Sequence, residues 1–263
     1  KTKELVSATG ITSQKWRIYT PFQNKEFKIS RSRFDDYMTC KRCFYLKTNR
    51  GLMSPSTPGW TLNTLTDTLL KKEFDKHREG QTPHRLLVDN NLSHIVPFKH
   101  PNIDEWRDST NKGIKLKYKD TNIILQGGVD DVWFNTLTDE IIIADYKSQH
   151  KNKEVNQSNY FSDPYKDGNK MQLDFYAYLF KGNGFKVSSD SYLYICNALE
   201  IDDGFHGKMN FDEILIHHPI NTDYLEENIE SMISCMNSEN VPDGHSSCEN
   251  CAYARQRSIY DDI

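Results

Sequence analysis

The chain has no apolar run long enough to cross a bilayer, and it opens on no signal-peptide pattern. A soluble, cytoplasmic protein with no membrane partner is therefore the expectation. It also has no excess of positive charge, since 33 Lys and Arg against 37 Asp and Glu give a formal net charge of −4. Any contact with nucleic acid must then come from local patches, because no global basic field would attract a polyanion. Two such stretches exist, Lys41, Arg42, Lys47 and Arg50, and Lys112, Lys115, Lys117 and Lys119. The ordinary reading of lysines so spaced is a solvated face. There is no internal repeat, which excludes repeat architectures.

What is present is a succession of periodic segments. Residues 1–28 lack a clear period and are expected to form a peripheral extension, leaving residues 29–263 as a single domain. Ser30 and Ser32 offer N-caps for a helix through Phe34, Tyr37 and Met38, with Asp35 and Asp36 near its positive end. Residues 51–59, rich in Pro and Gly, read as a loop. Leu62, Leu65, Leu69, Leu70 and Phe74 then recur at helical spacing, predicting an amphipathic helix. Residues 122–135 and 140–149 are rich in Ile, Val, Trp and Tyr and read as strands. A helix is expected over 171–180, ending at Gly182. Strands over 192–196 and 213–217 and a helix over 222–236 complete the pattern.

The two central strands carry the chemistry. Residues 136–139 fit a hairpin loop, with Asn135 and Asp139 supplying turn chemistry. If Asn135 faces Glu140, counting back sets Asp130 opposite Asp145. Opposed side chains have Cβ atoms about 5 Å apart, and like charges so placed destabilise a sheet. Lys147, two residues beyond Asp145, emerges on the same face. A hard cation such as magnesium or manganese would offset the repulsion of the two carboxylates, polarise a phosphate and generate hydroxide. Lys147 would orient or activate the attacking water, or stabilise charge building on the phosphate. The same Asp…Asp-x-Lys pattern also occurs on surface hairpins whose charges are simply solvated, so its neighbours must discriminate.

Those neighbours resemble one family. "ISRSRFDDYMTCKRCFYL", "GGVDD", "ADYKS" and "QLDFYAYLF" occur in that order. They resemble the motifs of the RecB-like branch of the PD-(D/E)XK nucleases, which includes the nuclease domain of AddB and CRISPR-associated RecB-like nucleases. The resemblance covers roughly residues 29–255. It implies an α/β fold with a restriction-endonuclease-like core, a central mixed sheet flanked by helices. It further implies metal-dependent DNA cleavage, with magnesium or manganese held by Asp130, Asp145 and the carbonyl of Tyr146, and with Lys147 catalytic. Gln172 and Tyr176, one turn apart on a helix face, match the pair that supports the site and contacts DNA. One departure stands out. Where the branch places a metal-binding histidine, this chain has Asn63. Its amide oxygen is a usable ligand for magnesium, and Asp67, one turn later, is either a replacement ligand or a solvated polar position.

Six cysteines include two spaced pairs, Cys40 with Cys43 and Cys248 with Cys251. Two C-x-x-C pairs complete a four-thiolate site, and zinc is the default reading of that spacing. The family resemblance implies instead a [4Fe-4S] cluster joining the two ends of the domain, although the branch has one N-terminal and three C-terminal cysteines where this chain has two and two. His245 is a spare ligand for a zinc version, and Cys196 and Cys235 read as packing residues. The expected function is a metal-dependent deoxyribonuclease, an exonuclease on ends or single strands. The alternative is a nucleic-acid-binding or assembly module that kept the fold but lost cleavage with the histidine. DNA is the expected partner, and a helicase or integrase partner is left open.

Overall fold

The computed structural model describes residues 7–55, 57–201 and 203–260. The first six residues of the expected extension, Ser56 in the expected loop and the last three residues of the expected domain lie outside the described residues. In chain order the elements are β1 (Phe27–Ser30), α1 (Arg31–Thr39), α2 (Lys41–Asn49), α3 (Thr61–Gly80), α4 (Arg85–Asp89), β2 (Ile95–Pro97), α5 (Ile103–Arg107), β3 (Ile114–Lys117), β4 (Ile123–Gly127), β5 (Asp131–Asn135), β6 (Glu140–His150), α6 (Asp167–Gly182), β7 (Val187–Ala198), β8 (Phe211–Pro219), α7 (Leu225–Asn237) and α8 (Glu249–Ser258). Two compact units result. One comprises Lys1–Pro58, Lys117–Ile124 and Tyr224–Ile263, the other Gly59–Leu116 and Leu125–Asp223.

The second unit is built on a five-stranded mixed sheet of order β2-β5-β6-β7-β8, in which β6 and β7 run parallel and the other pairs antiparallel. Helices flank it, with α3 packed on β6 and α6 on β6 and β7. The alternation of a strand assigns the faces. Ile142, Ala144 and Tyr146 join Leu70 and Phe74 of α3 in one core cluster. Phe74 stacks on Trp133 with ring centroids 5.4 Å apart. Asp145, at the intervening position, bonds instead to α6.

Three expectations change at this level. The run expected as one strand over 122–135 is two, because the chain breaks between Gly127 and Asp131. A Cβ at Gly127 would meet the Tyr176 ring at 2.5 Å, and one at Gly128 the Ser109 backbone at 2.3 Å. Only glycines allow that close approach. The leucine stripe of α3 is only partly covered: Leu70 and Phe74 are buried, while Leu62, Leu65 and Leu69 are each about half exposed. Asp35 and Asp36 fall in the middle of α1 rather than its first turn, since Ser30 is the cap and its hydroxyl accepts from Arg33 N at 3.2 Å. Helices α2 and α8 lie where no apolar period marks the sequence.

In the first unit α1, α2 and α7 pack together. Tyr37 donates its hydroxyl to Ser231 Oγ at 2.6 Å, and Tyr45 its own to the Ser238 carbonyl at 2.9 Å. Lys47 pairs with Asp36, and Lys119 with Glu226 and Glu230. No helix among the described residues is long and apolar enough to cross a membrane.

Candidate active site

Strands β5 and β6 pair with Asn135 opposite Glu140 and Asp131 opposite Ala144. Asp130 lies one residue before β5, and its Oδ2 accepts from the backbone N–H of Tyr146 at 3.0 Å. Asp145 is fully buried. Burial, and then the negative charge of Asp130, push its carboxyl up to about 7 against the opposing pull of Lys147. Lys147 forms an ion pair with Asp145 and donates to Gln172 Oε1 at 3.2 Å. Gln172 in turn donates from Nε2 to Asp145 Oδ1 at 2.6 Å and to the Tyr176 hydroxyl at 3.3 Å. The resemblance gives Gln172 and Tyr176 a site-supporting and a DNA-contacting role. Here both are buried, and their polar atoms face Asp145, Lys147 and each other.

Helix α3 brings two further candidates. Lys71 bridges Asp67 Oδ2 at 2.9 Å and Asp130 Oδ1 at 3.6 Å. Burial, and then Asp130, raise the Asp67 carboxyl above its usual range. Asp67 Oδ1 is buried with no hydrogen-bond partner. Asn63, one turn earlier, is exposed and donates its Nδ2 to the Ser148 carbonyl at 3.0 Å. Tyr146 contributes backbone between Asp145 and Lys147, while its hydroxyl reaches the opposite face.

That opposite face holds a residue the sequence reading passed over. Asp131 is fully buried. Its Oδ1 accepts from Arg78 Nη2 at 2.5 Å and Arg107 Nη2 at 3.1 Å. Its Oδ2 accepts from the Tyr146 hydroxyl at 2.7 Å and Trp133 Nε1 at 3.3 Å. Burial works against its ionisation, but the two guanidinium groups keep the carboxyl below its usual range. The available signal was the doublet Asp130-Asp131 itself. Consecutive strand residues face opposite ways, so an acid pointing into the core must find a cation there.

Carboxylates on two elements, a lysine on the same strand and a bridging glutamine make a site suited to a hard cation and a phosphate. The family model of the PD-(D/E)XK nuclease superfamily matches residues 54–256. The chain belongs to that superfamily. Its β5–β6 hairpin and α6 thus carry the elements of a nuclease core, and nuclease activity follows from membership. No curated protein matches the chain in sequence. Among solved structures it is similar to a Eubacterium rectale protein described as a "putative exonuclease", with 14 % identity, 94 % of each chain covered and a TM-score of 0.43. It is also similar to the protein named SSO0001, with 12 % identity, 84 % of this chain and 80 % of that one covered, and a TM-score of 0.30.

The first unit holds a second cluster. Cys40, Cys43, Cys248 and Cys251 bring their sulfurs within 4.8 Å of one another, the one such group of potential ligands found among the described residues. Cys43 Sγ lies 3.5 Å from both Cys248 and Cys251, and Cys40 Sγ lies 3.8 Å from Cys251. Cys40 and Cys248 are the N-cap residues of α2 and α8, so two helix starts face one point. Burial opposes ionisation of Cys40, yet the backbone N–H groups of Cys43 and His245 draw its thiol down to about 6. His245 therefore acts through its backbone, 3.4 Å from Cys40 Sγ, while its ring bonds Ser247 at 2.7 Å. Gly244 lets Cys251 approach, since a Cβ there would meet its sulfur at 2.9 Å.

Proposed function

We propose that the protein is a divalent-metal-dependent deoxyribonuclease of the RecB-like branch, acting as an exonuclease on DNA ends or single strands. The observation that carries this reading is the meeting of Asp130, Asp145 and Lys147, with Gln172 bonded to the last two, within a chain of the nuclease superfamily.

The donor set fits magnesium or manganese. Burial, and then the charge of Asp130, raise the carboxyls of both Asp67 and Asp145, and Asp67 Oδ1 is buried and unpartnered. A cation relieves all three costs. Asp130 and Asp145 would hold it, with Asp67 and the Tyr146 carbonyl as further ligands and Asn63 committed to Ser148. Such an ion supplies a polarised phosphate and a more acidic water. Gln172 holds the Lys147 ammonium at the edge of this group, where it orients the water or stabilises charge on the phosphate. The four cysteines fit a [4Fe-4S] cluster or a structural zinc, since all four sulfurs meet at one point.

Manganese calorimetry of wild type and Asp130→Ala tests the assignment. Binding by wild type and its loss in a folded variant are expected. Equal affinity in both would remove Asp130 from the site. A second reading, a binding module with weakened cleavage, draws on the Asn63 amide being turned to Ser148. Manganese binding without cleavage would favour it.

A further inference from the structure

The end of β6 does not stop at the catalytic lysine. One residue beyond Lys147 it enters an open groove of about 270 Å³, whose walls include Trp60 and Leu62 from the start of α3, Gln149 and His150 from β6, and Met209 and Phe211 beside β8. Trp60 is 80 % exposed, and Leu62 and Met209 are about half exposed. A tryptophan so open, beside other uncovered apolar groups, marks a place where something binds. The groove has a basic edge. Lys166 donates to Gln149 Oε1 at 2.9 Å, while Lys151 is paired with Asp163 at 3.0 Å and Lys147 with Asp145. Gln149 Nε2 is buried without a hydrogen-bond partner.

We propose that this groove is a nucleobase subsite, in which the base next to the scissile phosphate stacks on Trp60 while a neighbouring phosphate meets Lys166. The inference rests on the nuclease reading of Asp130, Asp145 and Lys147. It adds a base-stacking contact, which needs an unpaired strand. A base within a duplex has both faces covered by its neighbours and cannot offer one to Trp60, whereas an unpaired base can. Apolar walls, an exposed aromatic ring and a lysine alongside suit a single strand, since stacking is indifferent to sequence and the backbone is polyanionic. Lys151 is already paired with Asp163 at 3.0 Å, so Lys166 is the cation the groove offers to a phosphate, and an apolar peptide would not use it.

The test uses the full-length protein in EDTA, so that nothing is cleaved, and reads fluorescence anisotropy of labelled oligothymidylate, an abasic strand of equal length and a blunt duplex. Trp60 is exposed, so Trp60→Ala and Trp60→Phe leave the fold intact. Trp60→Ala should weaken oligothymidylate binding about tenfold, as one lost base–aromatic stack does, leave the abasic strand unchanged, and be largely rescued by Trp60→Phe. Equal losses on both strands, or no loss on either, would overturn the subsite. If wild type cleaves DNA but Trp60→Ala shows no base-dependent loss, the groove falls and the nuclease stands. If wild type neither binds nor cleaves any of the three, both fall.

Discussion

Gln172 holds Asp145 from below, donating its Nε2 to the Asp145 carboxylate at 2.6 Å while Lys147 donates to its Oε1. One amide thereby fixes both a carboxylate proposed to hold the metal and the lysine proposed to be catalytic. Gln172→Ala should lower metal affinity or cleavage about 10–100-fold, the usual cost of losing an orienting partner. Gln172→Glu should be worse, because it sets a like charge beside a carboxylate that already resists ionisation. Manganese titration and cleavage rates of both variants check this, and wild-type values in either would remove Gln172 from the machinery.

Asp131 sets the hairpin that carries these residues. Asp131→Asn leaves Arg78 and Arg107 buried beside a neutral amide, and should cost about 3–5 kcal/mol, as breaking a buried ion pair does. Urea unfolding measures it. A loss within 1 kcal/mol of zero would show the network to be dispensable.

How much of this was legible divides along distance in the chain. Asp145 and Lys147 are two residues apart on one strand, Gln172 and Tyr176 four apart on one helix, and Asn135 faces Glu140 across a four-residue turn. Each follows from a local period, so sequence alone placed them. The cationic partners of Asp131 lie 53 and 24 residues away, and no local pattern announces them. The break after Gly127 was missed because an apolar run conceals the close approach of Tyr176 and Ser109 that only glycine permits. Periodicity showed that α3 has an apolar stripe. It did not show that the sheet covers only the half around Leu70 and Phe74, because coverage is decided by the elements packed against it.

His84 gives the fold a pH dependence. It is buried, stacks on Phe74 at 4.3 Å, accepts from Leu86 N through Nδ1, and bonds Glu73 through Nε2. Burial holds its pKa below the ordinary 6.5, against the pull of Glu73. Protons then bind the unfolded chain first, so its contribution is complete above pH 6.5 and is lost as pH falls from there through the depressed value. The melting temperature should drop between pH 7 and pH 5, and His84→Asn should flatten that drop. An unchanged slope in the variant would refute the role of His84.

The cysteine cluster predicts one bound metal centre. Brown, iron-containing protein after anaerobic purification identifies the [4Fe-4S] cluster, and colourless protein with one zinc the alternative. Cys248→Ala should lose the metal and expose α8 to protease, because the Cys248 thiol at the start of that helix lies 3.5 Å from Cys43 and ties α8 to the cluster. Metal-free wild type with protease-resistant ends would contradict a metal at this site.

The most direct measurement is cleavage of end-labelled single- and double-stranded DNA by wild type and Lys147→Ala, with manganese or with EDTA. Cleavage by wild type with manganese is expected, abolished by EDTA and by Lys147→Ala, while that variant stays folded and still binds manganese. Cleavage that survives EDTA, or that Lys147→Ala retains at the wild-type rate, would contradict a metal-dependent nuclease centred on Asp130, Asp145 and Lys147.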